Sequence, residues 1–367
     1  LHDAARAATV GRRDDLLVRA WSELAYEVGD GRGRPDDGRE WARYAHASLA
    51  RLGESDDLGA ELLSVEGHLS FREGAYAEAL ALTQKALALG ERALGPNHLS
   101  IARYANDVGN AATHLGRYDE AQTSFERTLR IAEAHLGPEH PRIAMVLNNL
   151  GTVADKTGRS AEALAHYERA TRLWESAFGA GHMNLGYAHA NAADALRHLG
   201  RMDAALASAE RGLAVWEGAL GPHHPLVAEA LETRGRVHLD AGRAEAAQAD
   251  AERALAILGE AYGDARGRAL GALTLAGRSQ LARGASPAAV ALLDRAVHLA
   301  EATGASPEDG GLARAALAQA LAATADGQAR ATSLARRALA DLEAQPGAEA
   351  QRPVPWLRAW LARQGAP

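Results

Sequence analysis

Through the middle of the chain, apolar residues fall three and four positions apart, as in Ile143, Val146, Leu147 and Leu150. That spacing puts them on one stripe of a helix. The stripes are short, and glycine interrupts them at fixed intervals. Gly53, Gly95, Gly137, Gly179, Gly221 and Gly263 stand 42 residues apart, and Gly74, Gly116, Gly158, Gly200, Gly242 and Gly284 keep the same step. Two more registers run in phase with these. One holds Gly67, Gly109, Gly151, Ala193, Gly235 and Gly277; the other holds Ala79, Ala121, Ala163, Ala205, Ala247 and Ala289. Four registers in phase over six units define an internal repeat.

Each unit reads as two helices. In Gly116-Arg-Tyr-Asp-Glu-Ala121, glycine ends one helix with a residue free to take positive φ, and acidic residues start the next. In Gly137-Pro-Glu-His-Pro141, Gly137 closes the second helix, Pro138 stops its continuation, and Pro141 suits the first turn that follows. The pattern predicts first helices near 56–72, 98–115, 140–157, 182–199, 224–241 and 266–283. Second helices follow near 76–94, 118–136, 160–178, 202–220, 244–262 and 286–303. Small residues in the third and fourth registers let helix backbones approach closely. A single unit cannot bury its own apolar face, so units must stack.

The ends are less regular. Residues 1–52 read as a degenerate N-terminal helical repeat or cap, broken by the charged loop Gly29–Gly38; 56–303 hold the six 42-residue units. Residues 307–342 form a degenerate C-terminal repeat with Asp326-Gly327 at its turn, and 353–364 a short capping helix after the linker Gln345-Pro-Gly. The fold class is all-α, a continuous solenoid of antiparallel helix pairs.

Composition narrows the function classes. Of 367 residues only 5% are aromatic, three of them Phe, so burial is thin, helix against helix. A formal charge of -7 speaks against a nucleic-acid partner. With no cysteine there is no disulfide or thiolate metal site, and a reducing cytoplasm is the expected compartment. No apolar run approaches the roughly 20 residues that span a bilayer, so no membrane insertion is expected. Lys85 and Lys156 are the only lysines beside many Arg, Ala and Gly, a GC-rich bacterial habit. The chain opens on Leu1 in mid-pattern and reads as a piece of a longer polypeptide.

Gly116-Arg-Tyr-Asp-Glu-Ala121 resembles the tetratricopeptide repeat, whose pairs wind into a right-handed superhelix. The 42-residue step, the Leu-Gly-Pro-x-His-Pro linker and Leu147-Asn-Asn-Leu-Gly151 resemble its longer, kinesin-light-chain-like variant over about residues 56–303. Trp21-Ser-Glu-Leu-Ala-Tyr-Glu-Val-Gly29 and Glu40-Trp-Ala-Arg-Tyr-Ala45 look like the opening of the repeat region C-terminal to the catalytic domain of myxobacterial-type serine/threonine protein kinases. The chain itself carries no His-Arg-Asp, Asp-Phe-Gly or Val-Ala-Ile-Lys motif, so no catalytic residues and no cofactor are expected. Gly29-x-Gly-x-Gly33 lacks the strand context of a phosphate loop.

His98, His140, His182 and His224 repeat every 42 residues. Equivalent positions in stacked hairpins stand about 8–10 Å apart, too far to share a zinc ion. They are expected to cap or pack at helix entries, with no metal. Trp174 and Trp216 are expected to pack on adjacent hairpins.

The resemblance implies that first helices line a concave groove. Asn106, Asn148, Asn149, Asn191 and Asn110 recur there, although Asn disfavours helix interiors. An amide matches a peptide bond in donors and acceptors, so such a ladder can hold an extended peptide. Alternatively, the amides bond the next helix and only fasten repeats together. Arg103, Thr152, Lys156, Asp194, Arg197 and Arg236 complete the candidate groove, with Arg278, Asp107, Asp155 and Glu229 as further charges. The lysine expected of a tetratricopeptide clamp on a terminal carboxylate is missing. The expected function is a protein-interaction scaffold for a peptide or partner helix of unknown identity, in the recruiting arm of a bacterial signalling kinase. The competing class is a structural spacer or self-association module.

Overall fold

The computed structural model describes residues 10–31, 33–53, 55–263, 267–324 and 326–365, together with Asp3 and Ala8. Every regular element among them is helical. The chain divides into two compact units, 1–153 and 154–367.

The first unit holds α1 (Asp14–Tyr26), α2 (Pro35–Leu52), α3 (Asp56–Arg72), α4 (Tyr76–Leu94), α5 (Leu99–His114), α6 (Tyr118–Leu136) and most of α7 (Pro141–Lys156), in whose last turn the division falls. The second holds α8 (Ser160–Phe178), α9 (Asn184–His198), α10 (Met202–Leu220), α11 (Pro225–Asp240), α12 (Ala244–Tyr262), α13 (Leu270–Ala282) and α14 (Ser286–Thr303). It continues through α15 (Pro307–Ala322), α16 (Gln328–Leu342), the single turn α17 (Ala348–Gln351) and α18 (Val354–Arg363). The six second helices match their expected bounds. Of the first helices, α3 starts where the pattern predicts. α5, α7 and α11 start one residue later, because the histidine of the Gly-Pro-x-His turn caps them from outside; α9 starts two later, and α13 four later, after the 3₁₀ turn Gly267–Ala269.

The turn chemistry follows the glycine ladders. Every member of both ladders has positive φ, from +65° to +92°, where only glycine is unstrained. The recurring histidines cap helix entries. Nδ1 of His98 accepts from the Ser100 amide at 3.2 Å, His140 from Arg142 at 3.2 Å, His182 from Asn184 at 3.3 Å and His224 from Leu226 at 3.2 Å. This satisfies one of the orphan amides of each first turn.

The small registers are contact surfaces. The six alanines of the fourth register are all buried. A Cβ on Gly109 would stand 2.6 Å from the Phe125 ring, and one on Gly277 2.4 Å from Leu293. In α9, a Cβ on Gly186 would stand 2.2 Å from the Trp216 indole, whose Nε1 donates to Met183 O at 3.0 Å. Trp174 and Trp216 are both buried, so they are packing residues.

In the first unit, Trp21 and Trp41 stack with centroids 5.3 Å apart and Tyr44 leans on both, tying α1 to α2. The bend between them is a π turn, Glu27–Gly31, and Arg32 lies outside the described residues. Gly29 and Gly38 face each other under Leu69, where a Cβ on either would collide. These glycines serve packing. In the second unit, Leu293, Leu317, Leu342, Val354, Leu357 and Leu361 share one apolar cluster, and α18 packs against α16.

Candidate functional site

On the first-helix face of the first unit, α5 and α7 carry Arg103, Asn106, Asn110, Asn148, Asn149 and Thr152. Asn149 Nδ2 donates to Asn106 Oδ1 at 3.3 Å and to Asn110 Oδ1 at 3.2 Å. The two acceptors are four residues apart on α5 and therefore share a face. Thr152 Oγ1 donates to the Asn148 carbonyl at 3.1 Å, and the exposed Arg103 lies over the Tyr104 ring at 4.9 Å. Asp107 is buried, accepting from Ser64 Oγ at 3.1 Å with His68 Nε2 at 3.3 Å, and so joins α3 to α5. Three of the amides thus meet one another between consecutive first helices, as the fastening reading requires.

The corresponding face of the second unit is charged rather than amide-rich. Lys156, Asn191, Asp194, Arg197 and Arg236 lie there on α7, α9 and α11. Arg236 Nη2 bonds Asp194 at 2.7 Å and Thr233 at 2.9 Å. Arg197, only 2% exposed, reaches Asp194 at 3.0 Å, Asp240 at 2.8 Å and Glu349 at 2.8 Å. His198 bonds Asp155 at 3.0 Å and stands 3.6 Å from Glu349, while Ser160 Oγ donates to Asp155 at 2.7 Å. Arg278 from α13 reaches the other Glu349 oxygen at 3.3 Å. Lys156 pairs with Glu308 at 2.7 Å, and Arg352 pairs with Asp240. Glu308, Glu349 and Arg352 belong to the C-terminal segments, so the chain's own tail occupies this face.

Burial and pairing set the protonation states. Burial alone would lift Asp194, but Arg236 and Arg197 outweigh it and hold the carboxyl well below its ordinary value. Burial likewise opposes Glu349, and His198, Arg197, Arg278 and Arg352 together hold it ionised. His198 is depressed by burial and by Arg197, whose Nη2 stands 3.0 Å from its Nε2, yet Asp155 and Glu349 outweigh both and raise it to about 9. Glu232 behaves differently. Burial pushes it up to about 7 against the pull of Arg236, with Glu229 and Asp309 adding to the rise. Among the described residues, no group of three or more His, Asp or Glu side chains is placed to hold a metal ion.

The tetratricopeptide repeat model matches residues 60–134, 100–176 and 184–260, together more than half of the sequence. This chain belongs to the tetratricopeptide repeat family. Among curated proteins, none matches the sequence. Solved repeat structures resemble the fold. A Rap protein in complex with competence and sporulation factor is 14% identical, with a TM-score of 0.64 over 96% of this chain and 99% of that one. Aspartyl phosphate phosphatase F of Bacillus subtilis is also 14% identical, with a TM-score of 0.58 over 79% and 72%. A Podosopora anserina kinesin light chain with nearly identical TPR-like repeats is 20% identical, with a TM-score of 0.46 over 56% and 98%. At 14% identity the first two likenesses speak for the fold alone. Among the described residues, no helix is long and apolar enough to cross a membrane.

Sequence reasoning passed over His198, Asp240, Glu308, Glu349 and Arg352. His198 and Asp240 sit in the repeat one position after Arg197 and Leu239, and that shared register was a usable signal. Glu349 lies in an aperiodic Ala, Gln and Pro stretch, where no sequence signal marks it.

Proposed function

We propose that the first-helix face of these repeats is a protein-interaction surface that takes an extended segment or helical turn of a partner. One observation carries this reading. In the second unit that face already holds a segment from outside the repeats, gripped through a carboxylate and through close backbone contact. A Cβ on Gly347 would stand 3.0 Å from the Lys156 carbonyl. In the first unit, Asn149 keeps its carbonyl oxygen, and Asn106 and Asn110 their amino groups, beyond the bonds they make to one another. At about 1 kcal/mol per net hydrogen bond, a short ladder supports reversible binding. The Rap protein whose fold this chain resembles was solved with a bound factor, in keeping with the same use of the fold.

The test is a peptide array and pull-down with the intact chain. Replacing Asn148→Ala and Asn149→Ala together is expected to weaken partners of the first unit about tenfold, the loss of one to two bonds. Unchanged affinity for every captured partner refutes the groove. The bond from Asn149 to the neighbouring helix favours a second reading, a spacer that associates through residues 1–52 or 343–367; concentration-dependent light scattering that vanishes without the last helix supports that instead. The likeness at Trp21–Gly29 and Glu40–Ala45 extends the first reading to a recruiting arm beside a serine/threonine kinase domain. An upstream coding sequence without kinase motifs removes that extension.

A further inference from the structure

Residues 343–353 form a strap between two firmly seated helices. Leu342 ends α16 and Val354 begins α18, and both are buried in the C-terminal apolar cluster. Between them the strap has little apolar hold. Pro346 and Arg352 are exposed, Gln345 and Ala348 half-buried, and Ala350 is its one buried hydrophobic side chain. Its local order comes from Gln351, whose Nε2 donates to the Gln345 and Leu342 carbonyls at 2.5 and 3.1 Å. What holds it on the repeats is the Glu349 carboxylate, helped by the Arg352–Asp240 pair and by close backbone contact of Pro346 and Gly347 with α7 and the turn after it.

The side chains that bond that carboxylate come from the repeats, while the strap's own Arg352 adds positive charge nearby. Arg197 and His198 end α9, and Arg278 comes from α13, 81 residues further along the chain. Arg278 occupies the register just after the small residue, as Arg236 and Asp194 do one and two repeats earlier. The basic groups therefore belong to the periodic scaffold, and their occupant does not. A buried ion pair adds little net stability against an apolar alternative, but it is selective for its partner. A carboxylate on one helical turn, tethered at both ends, fills the site at a high effective concentration, so a partner's carboxylate displaces it only with further contacts of its own.

We infer that the Arg197–His198–Arg278 site is a receptor for the glutamate side chain of an acidic partner peptide, and that residues 343–353 are a built-in competitor that fills it. This deepens the proposed function and assigns its ligand class in the second unit. Binding there is reported by the chain's own sequence, independently of the Asn148 and Asn149 test in the first unit, so either can fail alone.

The probe is a fluorescein-labelled peptide of residues 343–353, followed by anisotropy with the full chain. Wild type is expected to bind it weakly, because the strap occupies the site. The Glu349→Gln chain, which keeps the shape and loses the charge, is expected to bind about tenfold more tightly or better. A probe carrying Gln in place of that glutamate loses the gain, as does Arg197→Met added to the Glu349→Gln chain. Hydrogen exchange supplies a second readout: in Glu349→Gln, amides of residues 344–352 exchange faster while α16 and α18 keep their protection. Equal binding by wild type and Glu349→Gln, equal affinity for the two probes, or cooperative unfolding of Glu349→Gln each makes the strap a fixed part of the fold and overturns the inference.

Discussion

Arg197→Met isolates the charge at the centre of the second unit. Arg197 is 2% exposed and serves three carboxylates, those of Asp194, Asp240 and Glu349. Methionine keeps much of the stem's packing and removes the guanidinium. Losing one partner of a buried ion pair costs about 3–5 kcal/mol. Here Arg236, Arg278, Arg352 and His198 still face the orphaned carboxylates, so the lower end, about 3 kcal/mol, is expected. With an ordinary urea dependence, that moves the unfolding midpoint down by about 1 M or more. The sign with pH is fixed. Asp194 and Glu349 are depressed from 3.8 and 4.5, so their contribution is present above those values and is lost as pH falls below them. The penalty should be full at pH 7 and shrink toward pH 3.5. Urea melts by circular dichroism at both values, with the exposed Arg211→Met as control, decide it. A penalty at pH 7 no larger than that of the control, or one that does not shrink in acid, refutes the assignment of this network as buried and ionised.

Two further outcomes follow from the same geometry. Glu232 is raised from 4.5 to about 7, so folding keeps its proton, and stability falls as pH climbs through that window. Glu232→Gln should match wild type near pH 4 and exceed it by about 3 kcal/mol at pH 8, read from urea midpoints; no gain at pH 8 refutes the burial argument. Gly186→Ala must push against the Trp216 indole and should cost about 1–3 kcal/mol. Gly218→Ala, on open helix surface, should instead stabilise by up to about 1 kcal/mol, and the reverse order in thermal melts refutes the contact.

The helices were legible because each depends on a local and repeated chemistry. Gly137, Pro138 and Pro141 make a turn whatever surrounds them, and six copies of the step leave little freedom in where helices begin and end. The late start of α13 marks the limit: the last Gly-Pro-x-His turn has decayed to Gly263-Asp-Ala-Arg, and a 3₁₀ turn, Gly267–Ala269, precedes the helix. The close helix approach was legible for the same reason, since a missing side chain at Gly109 or Gly277 matters only when a neighbour fills the space.

Which way the face is used was harder to read, because side-chain partners across a repeat stack need not be periodic. Asn149 lies 43 and 39 residues from Asn106 and Asn110, close to one 42-residue step, so the step places all three on neighbouring first helices. Arg197 and Arg278 were visible as charges, but their common partner, Glu349, lies 152 and 71 residues away in a stretch with no period. A repeat sequence states what its own surface offers and is silent about what lies on it. That asymmetry bears on function: Arg197 and His198 have Asp194, Asp240 and Asp155 as partners within the repeats, whereas Arg278 is paired with Glu349 of the strap. The repeats alone thus leave this face short of one carboxylate, and in this chain the strap supplies it.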